Sequence, residues 1–474
     1  MIKFKKVSQD LIEGRTEIPY VQASPVFSKI YKNYKYKFLL ESADISRIYG
    51  RLSLIGIDPS IKLTEKDKKP KTQALNERGR TQLKGKKPSN LKTFLKEFHI
   101  KQKAFIGLYG AFSYDFIRAF EDIEQPLHKN PETDVDDYTL FLYDTFIHFD
   151  HLKEKCEIIV YRKTKKEIQE TTSKLLKKIK KPSPKTPTTT NAKHPYKIKS
   201  PKFTLTKKEY KDLVRTAKTY TKKGELYEVV FSNILKAKFE GDPFALYLKY
   251  REINPSPYMF YFDFQQEQLV GASPEMMVRC EDNKVHLRPI SGTAKRSKDP
   301  IEDHDNMLKL LLDPKEKAEL DMLVDLGRND LSRVCEPGIE ISDYRFVEKY
   351  SKVMHTITHL TGTLRKDKTA LDALISCINA GTLTGTPKIA AMQAIERHEK
   401  ERRGYYGGTI GYLTLNGDMD TGIIIRTAHI KNGDLRFQVG ATLLNASTPS
   451  SEYQETLNKA QAFLQTFNAN SLSR

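Results

Sequence analysis

The sequence predicts an α+β fold, and three observations carry that prediction. Runs rich in aromatic and β-branched residues crowd the first 150 residues. After about residue 205, helix-like and strand-like segments mix without a regular alternation. Several strand-like runs follow one another directly, as hairpins do, which argues against a doubly wound parallel sheet. No repeat of solenoid period is visible.

Taken in order, "YKFLLES", "LSLIGI", "AFIGLYGAFSY" and "DYTLFLYDTFIHFD" read as strands. "KKEYKDLVRTAKTYTKKGE" has the apolar spacing of an amphipathic helix closed by Gly224. "LYEVVFSNILKAKF" is then a strand, "DPFALYLKYREINPSP" a helix ended by its prolines, and "YMFYFDF" with "QLVGASPEMMVRC" a hairpin pair. A helix covers 316–326 and another "TALDALISCINA". "YGGTIGYLTL", "TGIIIRTAHI" and "LRFQVGATLL" form an antiparallel run, and a last helix starts near Ser451.

A chain of 474 residues can bury a substantial core. No stretch approaches the length of an apolar membrane span, and "MIKFKKVSQDLIEGR" lacks the apolar centre of a secretory signal, so the cytoplasm is the expected location. Cys156, Cys280, Cys335 and Cys377 are scattered, without metal-binding or disulfide spacing. The net charge of +20 is local. Residues 61–110 hold 14 Lys/Arg against 4 Asp/Glu, and residues 161–200 hold 13 against 2, which leaves the rest of the chain near neutrality. Basic loops without interleaved aromatics exclude dedicated nucleic-acid binding. The Lys-, Pro- and Thr-rich segment 161–202 reads as a linker or exposed loop between an N-terminal region, 1–160, and a second unit, 203–474.

Two short motifs raise a chemical question. "EKAELDMLVDL" places Glu316 and Glu319 on one helical face, and "SSEYQETLNKA" repeats the spacing with Glu452 and Glu455. One such pair is ordinary on a solvated helix. Two of them beside small-residue segments point to a shared cation that offsets the repulsion.

The segments "GASPE" (271–275), "PISGT" (289–293), "VDLGRNDLSRV" (324–334), "VMH" (353–355), "GTLTGTPK" (381–388), "GYYGGTIGY" (404–412), "IIIRTA" (423–428) and "ETLNKA" (455–460) follow in a specific order. In them, and upstream in "LLES" (39–42) and "YGAFSYD" (109–115), the chain resembles the chorismate-utilising enzymes. Within that family it is most similar to the large, ammonia-using subunit (component I) of anthranilate synthases. The resemblance implies that family's fold, with mixed and antiparallel sheets in a sandwich with helices. It also makes 203–474 the chorismate-binding catalytic domain.

It further implies a Mg²⁺ ion held by Glu319 and Glu452 with support from Glu316 and Glu455, receiving the ring carboxylate of chorismate. Arg426 and Tyr406 take the enolpyruvyl arm, Thr293 and Thr382 supply hydroxyl contacts, and Gly440, Ala441 and Thr442 offer backbone N–H groups. Lys459 lies near the ring carboxylate. Glu275 is the acid for the leaving C4 hydroxyl, and His355 serves the later loss of pyruvate and a ring proton.

The sequence departs from the family at three places. Ammonia users have Gln, and water users Lys, where this chain has Glu228; protonated it resembles an amide, ionised it is a base for water. The family's Gly-Ala-Gly turn reads Gly440-Ala441-Thr442. Ser291 replaces the usual Ala of anthranilate synthases, whereas aminodeoxychorismate synthases carry a nucleophilic Lys there. No cysteine has the Gly-flanked setting of a glutaminase nucleophile, so ammonia is expected from solution or from a glutamine amidotransferase subunit, component II. "LLES" (Leu40, Glu41, Ser42) and "NPSPYMF" (Pro257, Tyr258, Met259) are similar to segments that bind the inhibitor tryptophan. The alternatives left open are an aminodeoxychorismate synthase, an isochorismate or salicylate synthase, and a catalytically impaired homologue that binds chorismate or tryptophan.

Overall fold

Several runs that read as one strand pass from one sheet to another in the computed structural model, which describes residues 2–42, 52–123, 134–181, 195–350 and 353–467. The run 138–150 splits at buried Asp144 into Tyr138–Tyr143 and Thr145–Asp150. "QLVGASPEMMVRC" splits at Pro274 into Glu267–Ser273 and Met276–Glu281. "TGIIIRTAHI" splits into Met419–Ile423 and Thr427–Lys431. In each case the two halves belong to different sheets.

Among the described residues one sheet has 13 strands and the other 11, and every neighbouring pair is antiparallel. Both sheets run across the expected division of the chain. In the larger, Lys37–Glu41 lies beside Tyr258–Asp263; in the smaller, Gly107–Phe112 lies beside Thr409–Thr414.

Period-two alternation explains the layering. On Lys37–Glu41, Phe38 joins an apolar cluster that includes Leu108 and Ile410 of the smaller sheet, while Leu39 joins a second cluster on the opposite face. Phe260 and Phe262 repeat the first direction, Met259 and Tyr261 the second. That second face is covered by helices Ala23–Ile30, Pro243–Ile253 and Pro449–Leu464, through residues such as Phe27, Phe244 and Phe463. The smaller sheet carries helices Pro314–Ser332 and Ala370–Cys377. The α+β expectation and the sandwich with helices hold.

One local expectation fails. Residues 165–180, inside the segment read as linker or loop, form the helix Lys165–Lys180, started by a reciprocal cap between Thr164 and Glu167. Its Ile168, Thr172 and Leu175 are buried at helical spacing, with Leu176 and Ile179 packed beside them. Six lysines on the other face hid that stripe from a reading of composition. At its ends the expected linker is also strand, in Lys155–Arg162 and in Tyr196–Phe203, which pairs with Glu228–Gly241; residues 182–194 lie outside the described residues.

Candidate active site

Helix Pro314–Ser332 begins where Asp313 accepts hydrogen bonds from the backbone N–H groups of Lys315 (2.8 Å) and Glu316 (3.2 Å), with Pro314 in its first turn. Leu320, Val324, Gly327 and Leu331 form its buried stripe, which leaves Glu316 and Glu319 on a partly exposed flank. Helix Pro449–Leu464 repeats the design with Thr448 as cap, and Glu452 is buried in its first turn.

The two pairs face each other. Burial first, then Glu319 and Glu455, raise the pKa of Glu316. Burial, then Glu455 among others, raises that of Glu452, against a hydrogen bond from Ser447. Carboxylate oxygens on two helices are the donor set a hard divalent cation takes. Among the described residues, however, no three acidic or metal-ligating side chains are arranged to hold an ion. Glu319 lies 3.5 Å from Lys315 Nζ and Glu455 lies 2.8 Å from Lys459 Nζ.

Glu275 and Arg426 come together because two sheet crossings are stitched to each other. The backbone N–H of Ile423 donates to the Glu275 carbonyl (3.0 Å), and that of Ala272 to the Arg426 carbonyl (3.2 Å). Arg426 was expected within a strand; it stands instead at the crossing, with φ of 49°. The crossing frees its side chain from the alternation of either sheet. Glu275 is buried, and burial pushes its carboxyl up to about 7, against a 2.9 Å hydrogen bond from Thr382 Oγ1 and the charges of Arg426 and Lys459. Burial lowers the pKa of Arg426, while Tyr250 and Glu275 act in the opposite direction.

His355 Nδ1 lies 2.8 Å from the Gly292 carbonyl and 3.1 Å from Thr293 Oγ1. A carbonyl only accepts, so Nδ1 carries the hydrogen and Nε2 holds the free lone pair. Burial is the main cause lowering its pKa, so the imidazole is neutral at pH 7. Gly292 has φ of +70°, and a Cβ there would lie 2.8 Å from Leu310 Cδ1 and 2.9 Å from Glu316 Oε2. The irregular stretch of strand Ile290–Lys295 that positions His355 is thus packed directly against Glu316 of the first acidic pair. Beside it, the Ser291 carbonyl accepts from Thr356 Oγ1 at 2.6 Å.

The segment Gly440-Ala441-Thr442 was expected as a turn. It lies in the strand Asp434–Leu443, with Gly440 opposite Ser232 and Thr442 opposite Val230. A β-branched threonine suits that extended backbone. Lys459 Nζ donates to the Gly440 carbonyl at 2.9 Å, and a Cβ on Gly440 would come within 2.9 Å of the Tyr406 hydroxyl.

Glu228 opens the adjacent strand and is 2% exposed. Its Oε1 has no hydrogen-bond partner among the described residues. Burial, then the charge of Glu319, pushes the carboxyl up to about 8, so it is protonated at neutral pH.

Away from this group, Leu40 pairs with Phe260 and Glu41 with Met259 across adjacent strands. Glu41 accepts from the Tyr247 hydroxyl (2.6 Å) and Arg251 Nε (2.9 Å), and Tyr258 donates to Asp420 (3.0 Å). Pro257 is half-buried, and the buried Ser42 hydroxyl has no partner among the described residues. The four cysteines are buried and unpaired, with the thiols of Cys156 and Cys280 pushed up to about 12 by burial. Lys315 escaped the sequence reading, although its place four residues before Glu319 signalled an ion pair.

A family model described as chorismate binding enzyme matches residues 35–465. Anthranilate synthase component 1 of Aquifex aeolicus is 37% identical over 460 residues, covering 93% of this chain and 90% of its own. The protein of that name from Neisseria meningitidis serogroup B is 35% identical over 494 residues, covering 98% of each. The crystal structure of anthranilate synthase component I from Streptococcus pneumoniae superposes with a TM-score of 0.77 at 31% identity, over 87% of this chain and 92% of that one. The menaquinone-specific isochorismate synthase of Escherichia coli shares the fold, with a TM-score of 0.71 at 18% identity over 97% and 95% of the two chains. By fold, motif order and identity along nearly its whole length, the chain belongs to the chorismate-binding enzymes.

Proposed function

We propose that the protein is the large subunit of a Mg²⁺-dependent anthranilate synthase, converting chorismate and ammonia to anthranilate, pyruvate and water in tryptophan biosynthesis. One observation carries this reading. A buried carboxyl with its pKa raised to about 7, hydrogen-bonded by Thr382 and flanked by Arg426, shares a site with a neutral histidine oriented by a backbone carbonyl. Addition of a nucleophile with loss of hydroxide needs an acid, and removal of a ring proton needs a base. Glu275 and His355 match those two needs.

Each residue then takes the role that the family resemblance implies. Arg426 grips the enolpyruvyl carboxylate, with the Tyr406 hydroxyl beside it. Thr293 and Thr382 line the ring, while the strand 440–442 and Lys459 lie toward the ring carboxylate. Glu275 protonates the C4 hydroxyl as ammonia bonds to C2. His355 Nε2 then takes the C2 proton as the enolpyruvyl C–O bond breaks and pyruvate departs, leaving the aromatic ring. Protonated Glu228 has the shape and donor of an amide, which suits a site that admits ammonia rather than activating water. Mg²⁺ would be held by Glu319 and Glu452 with Glu316 and Glu455 in support, where it would supply a Lewis acid for the substrate carboxylate. Ammonia would come from a separate amidotransferase subunit, since the buried cysteines here cannot act as an exposed nucleophile.

For the upstream pair of strands we propose a tryptophan site at Leu40, Glu41, Ser42, Pro257, Tyr258 and Met259, supported by a buried Ser42 hydroxyl that has no partner among the described residues. The test of the main reading is incubation with chorismate, Mg²⁺ and ammonium salts, followed by product identification. Anthranilate and pyruvate are expected. Isochorismate, or an amine at C4 without aromatisation, would overturn the assignment.

A further inference from the structure

The acidic cluster has its own cations. Lys315 Nζ lies 3.5 Å from Glu319 Oε1 on the helix that also carries Glu316; burial works against its charge, and the nearby carboxylates, Glu319 foremost, outweigh it and raise its pKa. Lys459 Nζ lies 2.8 Å from Glu455. Four negative charges against two positive leave a deficit of two. Glu319 and Glu455 are thereby turned toward lysines on their own helices, at the i,i+4 spacing, rather than toward a common centre.

The two lysines are not equivalent. Lys459 is fixed by a second bond to the Gly440 carbonyl (2.9 Å). Lys315 has no second partner among the described residues, and its side chain is 57% exposed, so its head can swing into water at little cost.

We propose that Lys315 is the resident counter-ion of this cluster, a competitor built into the helix that a divalent cation displaces. It neutralises the carboxylates while the position is empty, then withdraws and frees Glu319. This rests on reading the cluster as a cation site, and the experiment separates the two ideas. Lys317, 3.6 Å from Asp321 on the same helix, supplies the control: Lys317→Ala removes the same charge from the helix.

Wild type, Lys315→Ala and Lys317→Ala are stripped with EDTA, then titrated with Mg²⁺ by calorimetry, and their melting temperatures are taken with and without the ion. Lys315→Ala should bind Mg²⁺ about two- to fivefold more tightly, the effect a half-exposed ion pair can give. It should also melt lower than wild type without the ion and gain more from adding it. Lys317→Ala should match wild type in affinity. Equal tightening in both variants would reduce Lys315 to a general field effect, and no tightening in Lys315→Ala would dismiss it; either overturns the inference alone. If no protein takes up Mg²⁺, the cation-site reading fails and the inference falls with it.

Discussion

Glu228→Gln isolates the departure that bears most on which nucleophile this site admits. The wild-type carboxyl, pushed up to about 8, is about nine-tenths protonated at pH 7 and about one-tenth at pH 9. A glutamine keeps the shape and the donor and cannot ionise. If the neutral form is the competent one, the ratio of variant to wild-type kcat/KM for free ammonia should be about 1 at pH 7 and rise to about 10 at pH 9. Taking the ratio cancels the loss of rate that ionisation of Glu275, with its carboxyl at about 7, imposes on both enzymes. Stability gives a second readout that needs no substrate. The folded protein holds this proton to higher pH than the unfolded chain, so stability is fully present below the ordinary glutamate value and is lost as pH rises through 8. Between pH 7 and 9 the wild type should lose about 1.4 kcal/mol more than the variant, one unit of proton release, measurable by urea melts at both values. A variant inactive with ammonia at pH 7, beside a wild type that makes isochorismate, would show Glu228 to be a base for water and refute the argument.

Three further outcomes test the rest of the site. Glu319→Gln or Glu452→Gln should keep the fold by circular dichroism and lower turnover by about 10- to 100-fold, partly recovered at high Mg²⁺; full wild-type activity in EDTA would sink the metal reading. His355→Ala should slow elimination by about 10²–10⁴-fold, so that an aminated, non-aromatic intermediate accumulates in quenched samples; equal slowing of both steps would remove His355 from its assigned role. Calorimetry should detect tryptophan binding that Ser42→Arg abolishes while turnover stays unchanged, and silence at millimolar tryptophan would leave the upstream strands a purely structural role.

Much of this could be read from the sequence, and what could not has a common physical cause. The amphipathic helices Lys207–Lys222, Pro314–Ser332 and Pro449–Leu464 declare themselves by caps and a period near 3.6. The strands are harder because the sandwich buries both faces of many of them. All six residues of Tyr138–Tyr143 and five of six in Thr145–Asp150 are buried, so no alternation marks where one sheet gives way to the other. Only the punctuation shows it: Asp144, Pro274 and Arg426 interrupt apolar runs, and each lies at a crossing. The helix Lys165–Lys180 was lost for the opposite reason, since its charge masked a narrow apolar stripe. The E-x-x-E pairs were legible because their spacing is a property of one helix. The facing of the two pairs, and the lysines between them, depends on how distant helices pack.

The crossings also give Glu275 and Arg426 a polar place inside an apolar sandwich. A charged side chain within a ladder of the larger sheet faces either the other sheet or the covering helices, and in both places burial without a partner is costly. At a crossing the chain leaves both ladders, so its side chains follow the alternation of neither sheet. Arg426 takes this position at φ of 49°, a conformation that a residue with a Cβ adopts at a cost, and it does so with a guanidinium whose charge burial disfavours. Glu275, with its pKa at about 7, is a weak counter-charge for it at neutral pH. A cation held under backbone strain, deprived of water and offered an acid only about half ionised at pH 7 is under-compensated until an anion arrives. On the proposed reading, that imbalance would let a substrate carboxylate bind Arg426 without first breaking a strong internal ion pair, while burial, against the charge of Arg426, holds the Glu275 carboxyl at about 7.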